Sequence, residues 1–151
     1  GLGGGSSDAA AVLRWAEFDD LVTASKLGAD IPFCMRGGRA QVTGIGEILE
    51  PLPYIARDIT LVVPPFGVST PAVYKAFDSL DSKNAGVNDL EPAAIVVEPR
   101  LAQWRDRIRE ASGVMPTLAG SGATWWLEGA HPHIHEAFSE ATVVVTRTRA
   151  V

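Results

Sequence analysis

No apolar run in the chain approaches the roughly 18 residues that a membrane-spanning helix requires. The longest, such as Ile59 to Phe66 and Ala141 to Val145, are far shorter. The opening residues do not read as a signal peptide either, and a cytoplasmic location is the expectation. Cysteine is nearly absent. Cys34 alone cannot form an internal disulfide, and its neighbours Phe33 and Met35 predict a buried, unreactive thiol suited to a reducing compartment. Basic residues are also scarce: 13 Lys and Arg against 18 Asp and Glu give a net charge of −5. A nucleic-acid backbone needs a concentrated basic face, so it is excluded as the main partner. A small anion held by backbone amides is not excluded. There is no internal repeat, no low-complexity segment and no methionine at position 1.

Glycine, in contrast, is plentiful, with 15 in 151 residues, and four of them stand at positions 1, 3, 4 and 5. Ser6 and Ser7 follow, then apolar residues at Ala9, Val12, Leu13 and Ala16 with helical spacing. Bare backbone amides at the positive end of a helix dipole form a phosphate site. The loop is not a Walker motif, because no lysine precedes the serines. Nor is it the dinucleotide fingerprint, whose third glycine would fall on Ser6. A flexible glycine linker is the bland alternative, weakened by the well-formed helix that follows. Ser6 or Ser7 is the expected cap, with Asp8 in the first turn.

Downstream, a short helix is predicted over 19–26 and stopped by Gly28, after which Asp30, Ile31 and Pro32 leave the helix for extended chain. Gly37 and Gly38 suggest a hairpin turn, with strands over 39–43 and up to Leu49 around a Gly44–Gly46 turn. A boundary is expected near residue 57. A strand from Asp58 to Val63 leads to a helix capped by Thr70, with Pro71 at its first position, and then a polar surface loop over 81–86. Helices over 89–97 and 99–112 follow, the second burying Leu101, Trp104 and Ile108 beneath a solvated Arg-rich face balanced by Asp106 and Glu110. Strands at 117–118 and 124–127 flank a tight turn, Ala119 to Ala123. Trp125 and Trp126 read as strand core. A helix over 132–140 and a strand over 142–148 complete an α+β sandwich, an antiparallel sheet with helices on one side. His131, His133 and His135 alternate as metal ligands on a strand would, but the sequence after them suggests a helix start, so a solvated loop and no metal site is the expectation.

The stretch Gly1-Leu-Gly-Gly-Gly-Ser-Ser-Asp-Ala-Ala10 resembles the phosphate-binding motif of the GHMP kinases. Leu27-Gly-Ala-Asp-Ile-Pro-Phe33, Gly44-Ile-Gly-Glu-Ile-Leu49, Asn88-Asp-Leu-Glu91 and Ala119-Gly-Ser-Gly-Ala-Thr124 agree with it in the right order over nearly the whole chain. Within the family, the likeness is greatest to a member acting on a cytidine diphosphate derivative in non-mevalonate isoprenoid synthesis. The resemblance implies a GHMP kinase fold, with 1–57 as the C-terminal part of a ribosomal-protein-S5-like, ATP-binding domain and 58–151 as a ferredoxin-like C-terminal domain. It implies transfer of the γ-phosphoryl group of ATP to an alcohol, with Mg²⁺ as cofactor.

Residue by residue, Gly1, Leu2, Gly3, Gly4, Gly5, Ser6 and Ser7 match the ATP phosphate loop, and Asp30 matches the catalytic aspartate. Read without the family, Asp30 is a structural cap. Gly120, Ser121 and Gly122 match the third motif, which supports that loop, against a plain strand turn. Thr70, Pro71 and Tyr74 match the substrate segment, Tyr74 stacking on cytosine, with a half-buried helix residue as the even alternative. The family's catalytic lysine would lie upstream of Gly1, and neither Lys26 nor Lys75 substitutes for it. The chain is therefore expected to be a C-terminal fragment without kinase activity of its own. The helical pair before Asp30 is shorter than usual in this family, leaving open a divergent copy. Another GHMP small-molecule kinase and a non-catalytic nucleotide-binding module are the competing readings. The expected partners are ATP and the cytidine diphosphate derivative, with a homodimer the one protein assembly left open.

Overall fold

The computed structural model describes residues 1–80 and 86–150. Most of the loop expected over 81–86 thus lies outside the described residues. The chain divides into two compact units, one holding Gly3–Ala56 with the last residues from Arg149, the other holding Gly1–Leu2 with Arg57–Thr148.

The first unit contains three helices and a hairpin: α1 (Gly4–Trp15), α2 (Leu21–Leu27), α3 (Ile31–Arg36), β1 (Ala40–Thr43) and β2 (Ile48–Pro51). Helix α1 starts three or four residues earlier than the Ser6 or Ser7 cap predicts. Its N-cap is Gly3 in the left-handed conformation (φ 66°), with no side-chain cap. Glycine's poor helix propensity hides such a start, yet glycine alone tolerates the left-handed entry. Ala9, Ala10 and Leu13 pack inward with Ala24, Ile31 and Met35, whereas Val12 and Ala16 face outward.

Helix α2 has a side-chain cap: Asp20 accepts from the Thr23 amide at 3.0 Å and from its hydroxyl at 2.7 Å. The Thr23 hydroxyl, then its amide, hold the Asp20 carboxyl below the ordinary carboxylate value. A depressed folded value stabilises the fold fully above the unfolded pKa of about 3.9, and this contribution disappears as pH falls through the folded value. Asp20→Ala is accordingly expected to lower Tm at neutral pH, and the difference from the parent should close on acidification below about pH 4. A gap that stayed constant down to pH 2 would show that the carboxylate is not the stabilising group.

The extended reading of 30–32 is corrected, because Asp30 occupies the N-cap position of α3 and Pro32 sits within its first turn. Proline is compatible with that turn because the amide it lacks would have no helical acceptor there. Gly37 and Gly38, both with positive φ, end α3 and form no hairpin turn. The expected turn at Gly44–Gly46 does form, extended to Glu47, and β1 and β2 pair across it from Ala40↔Pro51 to Thr43↔Ile48.

The second unit is a four-stranded antiparallel sheet in the order β4-β5-β3-β6, built from β3 (Asp58–Val63), β4 (Thr117–Leu118), β5 (Trp125–Glu128) and β6 (Thr142–Arg147). Helices α4 (Thr70–Ser79), α5 (Glu91–Val97), α6 (Arg100–Ser112) and a 3₁₀ helix (Pro132–Phe138) supply the rest of its core. This is the ferredoxin-like arrangement, in which β3 and β5 are central. Thr60, Val62, Leu118, Trp125 and Leu127 lie buried on one sheet face, against Val73, Leu101, Trp104, Ile108 and Phe138 from the helical layer. Trp126, on the opposite face, is half-buried, so only one of the two adjacent tryptophans belongs to the core. Thr60, although polar, is fully buried, because its hydroxyl donates to the Gly129 carbonyl at 2.8 Å and accepts from the His131 amide at 3.0 Å.

The arginine face of α6 is solvent-exposed, as expected, with Arg105 paired to Asp106, and several of its arginines also have partners beyond the helix. Arg107 bonds Glu140 at 2.8 Å and stacks over Trp104 and Phe138, Arg105 reaches Glu91 and Asp106, and Arg100 lies over Phe66. The hydrophobic stripe below it is as predicted.

Candidate active site

In the first unit, the glycine loop runs directly into α1. The first helical bond joins the Ser7 amide to the Gly3 carbonyl at 2.9 Å. The amides of Gly4, Gly5 and Ser6 lie ahead of it and have no helical acceptor. A side-chain carbon built on Gly4 or Gly5 would meet nothing within 4 Å, so their backbone is open to approach. Exposed amides, open space and the positive helix end form an anion cradle.

Asp30 stands beside this cradle. A carbon built on Gly3 would lie 3.9 Å from Asp30 Oδ2. The carboxylate makes no capping bond to α3 and is exposed, so it is not consumed by the structural role that residue type would otherwise suggest. Its backbone is held from behind by the hairpin. Gly46 has φ 108°, and a carbon built on it would come within 1.9 Å of the Ala29 carbonyl oxygen. The Gly44-Ile-Gly-Glu motif thus packs its second glycine on the residue before Asp30, a role that spacing along the chain does not reveal. Cys34 is half-buried, not fully buried as expected, and its Sγ lies 3.6 Å from Ser7 Oγ at the end of the loop. The Arg14 guanidinium donates to the Cys34 carbonyl, tying α1 to α3.

In the second unit, the turn over 119–123 lies between β4 and β5. Gly120 has φ 58°, which favours glycine there. Gly1 packs directly on this turn. A carbon built on Gly122 would lie 2.5 Å from the Gly1 nitrogen, and one built on Gly1 would lie 2.3 Å from the Ala119 carbonyl oxygen. Both glycines are thus fixed by close backbone approach.

Thr70 opens α4 as its first residue, one place later than the cap position, which Ser69 takes without a side-chain bond. The Thr70 hydroxyl lies 2.9 Å from the Ser121 hydroxyl. A predicted substrate residue and a predicted phosphate-turn residue, 51 positions apart, are therefore hydrogen-bonded. Pro71 lies in the first turn of α4, and Tyr74 is 52% exposed, one helical turn from Thr70, so its ring is free to stack on a planar base. Val73, next to it, is fully buried and anchors the helix.

A concavity of about 610 Å³ elsewhere in this unit, lined by Asn88, Glu91, Ile95, Arg105, Arg109 and Thr117 among others, contains none of the predicted site residues. No cluster of three or more His, Cys, Asp or Glu able to hold a metal occurs among the described residues, and no described helix is long and apolar enough to cross a membrane. His131 and His133 make an edge contact at 5.8 Å, while His131 Nε2 lies 2.9 Å from the Glu128 carbonyl.

No protein-family model matches the chain. Curated proteins do. The chain is 37% identical over 144 residues to the 4-diphosphocytidyl-2-C-methyl-D-erythritol kinase of Paracoccus denitrificans, covering 82% of this chain and 52% of that protein. It is 37% identical over 155 residues to the kinase of the same name from Pelotomaculum thermopropionicum, covering 82% and 54%. A crystal structure of 4-(cytidine 5'-diphospho)-2C-methyl-D-erythritol kinase superposes with a TM-score of 0.75 at 30% identity, over 96% of this chain and 65% of the other. The chain spans about half the length of the curated relatives it matches. Sequence and fold agree on one kinship, and over the part of those proteins that it spans the chain belongs to the 4-diphosphocytidyl-2-C-methyl-D-erythritol kinase family, with the GHMP kinase fold.

Proposed function

We propose that this chain forms part of an ATP-dependent kinase that phosphorylates the 2-hydroxyl of 4-diphosphocytidyl-2-C-methyl-D-erythritol, the substrate in its relatives' names. The observation that carries the reading is the Asp30 carboxylate beside the open amides of the α1 N-terminus. Phosphoryl transfer demands positioning and charge neutralisation, with a group that accepts the hydroxyl proton. In this reading, the amides of Gly4, Gly5 and Ser6 hold phosphate oxygens, and Asp30 receives the proton from the attacking alcohol. Gly1 and Leu2 continue the loop, while Gly120, Ser121 and Gly122 support it. Thr70, Pro71 and Tyr74 form the wall for the cytidine end.

Mg²⁺ suits the donor set. The oxygen-bearing side chains of the cradle are Ser6 and Ser7, and of these Ser6 is free of the Cys34 contact. Hard oxygen donors, few from the protein and the rest from phosphates and water, are the usual environment of that ion. When bound, it neutralises charge on the phosphates. The residues 1–57 and 58–151 correspond in this reading to the C-terminal part of the ATP-binding domain and to the C-terminal domain.

Thermal shift of the complete protein tests the assignment. MgATP and CDP are each expected to raise Tm by mass action. A protein stabilised by MgATP but not by CDP or CTP would be a different small-molecule kinase. One stabilised by neither would not be a nucleotide enzyme.

A further inference from the structure

Asn88 belongs to none of the roles above, yet two of its hydrogen bonds reach the carbonyls that bracket the start of the supporting turn, and a third fixes its own side chain to the following segment. Its Nδ2 donates to the Leu118 carbonyl at 2.9 Å and to the Gly120 carbonyl at 2.8 Å, and its Oδ1 accepts from the Leu90 amide at 3.0 Å. This set fixes the amide's orientation, since only the NH₂ end can face two carbonyls. The two carbonyls flank Ala119, whose amide donates to Thr124 at 2.9 Å across the base of the turn. Asn88 therefore holds the entry to the turn from outside the sheet, and the Thr70–Ser121 bond holds its tip. The turn in turn packs on Gly1 with backbone atoms so close that no side-chain carbon fits at Gly122. A small change in its curvature reaches the head of the glycine loop.

We propose that Asn88 is a positioning residue that sets the 119–123 turn for the nucleotide phosphates, acting through backbone carbonyls and not through contact with substrate. The proposal rests on the kinase reading above. Aspartate at 88 is nearly isosteric, but it would point a carboxylate oxygen at two carbonyl oxygens. Alanine would only delete the bonds. The two variants therefore separate repulsion from loss, and a rise confined to the nucleotide KM separates positioning from general destabilisation.

In the complete protein, Asn88→Asp is expected to raise the KM for MgATP about tenfold, the equivalent of one to two lost hydrogen bonds, with Asn88→Ala showing a smaller rise. The KM for 4-diphosphocytidyl-2-C-methyl-D-erythritol should stay within about twofold, and amide exchange over 119–123 should accelerate in both variants. Should Asn88→Asp not fold, the alanine variant alone must show the selective rise. Nucleotide KM values within twofold of the parent would overturn the proposal, as would both KM values rising in step with a lowered Tm. A parent protein without phosphoryl transfer would overturn the kinase reading itself, and the two failures are distinguishable because the second needs no variant.

Discussion

Asp30→Asn in the complete protein is expected to lower kcat by roughly 10²–10⁴-fold, the range for removing a positioned proton acceptor, with little change in Tm. The stability half of this expectation follows from the structure. Asp30 occupies the N-cap position of α3 but makes no capping bond, and it is exposed, so the amide loses no hydrogen bond and gains no burial. The activity half follows from the proposed role and from its place near Gly3, the N-cap of α1. Asparagine keeps the shape and removes the base. Steady-state kcat with saturating MgATP, together with a melting curve, checks both halves. If turnover stays near that of the parent, Asp30 is not the proton acceptor. A large fall in Tm would instead return it to the structural role that the bare sequence suggested.

Much of the geometry of the candidate site is legible in the sequence, and the physical reason is locality. A glycine-rich helix N-terminus is built from consecutive residues, so Gly3, Gly4, Gly5, Ser6 and Ser7 announce its open backbone together. A tight turn between two short strands is equally local, which is why residues 119–123 and the flanking strands were found within a residue. The hydrophobic stripe of α6 was equally plain, because its period repeats within one element. Errors arose where a local rule had two outcomes. Pro32 reads as leaving a helix, yet proline in the first turn also begins one, and Ile31 and Met35 of that helix are buried. The arginines of α6 have the spacing of a solvated face and are on one, but their partners Glu91 and Glu140 come from distant segments that spacing does not reveal.

What could not be read was contact between segments far apart in the chain. The Thr70–Ser121 bond spans 51 positions, and the bonds from Asn88 span 30 and 32. Each of those residues is unremarkable in its own neighbourhood: a residue near a helix start, a turn serine, a polar residue ahead of a helix. Their significance comes from the sheet order, in which β4 pairs with β5 and brings the turn within reach of the α4 start and of Asn88. Resemblance to the GHMP kinases marked the segments but not the bonds between them.

Gly46→Ala is expected to be the most damaging single-methyl change in the first unit. Two costs combine there. At φ 108° an L-residue is strained by about 1–3 kcal/mol, and the added carbon would lie 1.9 Å from the Ala29 carbonyl oxygen, which belongs to backbone and cannot rotate away. Either the hairpin or the segment ending at Asp30 must move, and a displacement of about 1 Å at a catalytic group can cost 10²-fold in rate. Gly44→Ala is the matched control. Its φ of 70° carries comparable strain, but the nearest atoms, 2.5–2.7 Å away, belong to the flexible carboxylate of Glu47, which can swing aside at the expense of its bond to the Ile45 amide. Both variants should lower the urea midpoint, whereas only Gly46→Ala should also depress kcat by about 10²-fold. Equal losses of turnover in the two would mean that the hairpin matters as a whole and that its contact with Ala29 does not position Asp30. Unchanged turnover in Gly46→Ala would mean that the hairpin yields first and that Asp30 is held by the packing of Ile31 and Met35 alone.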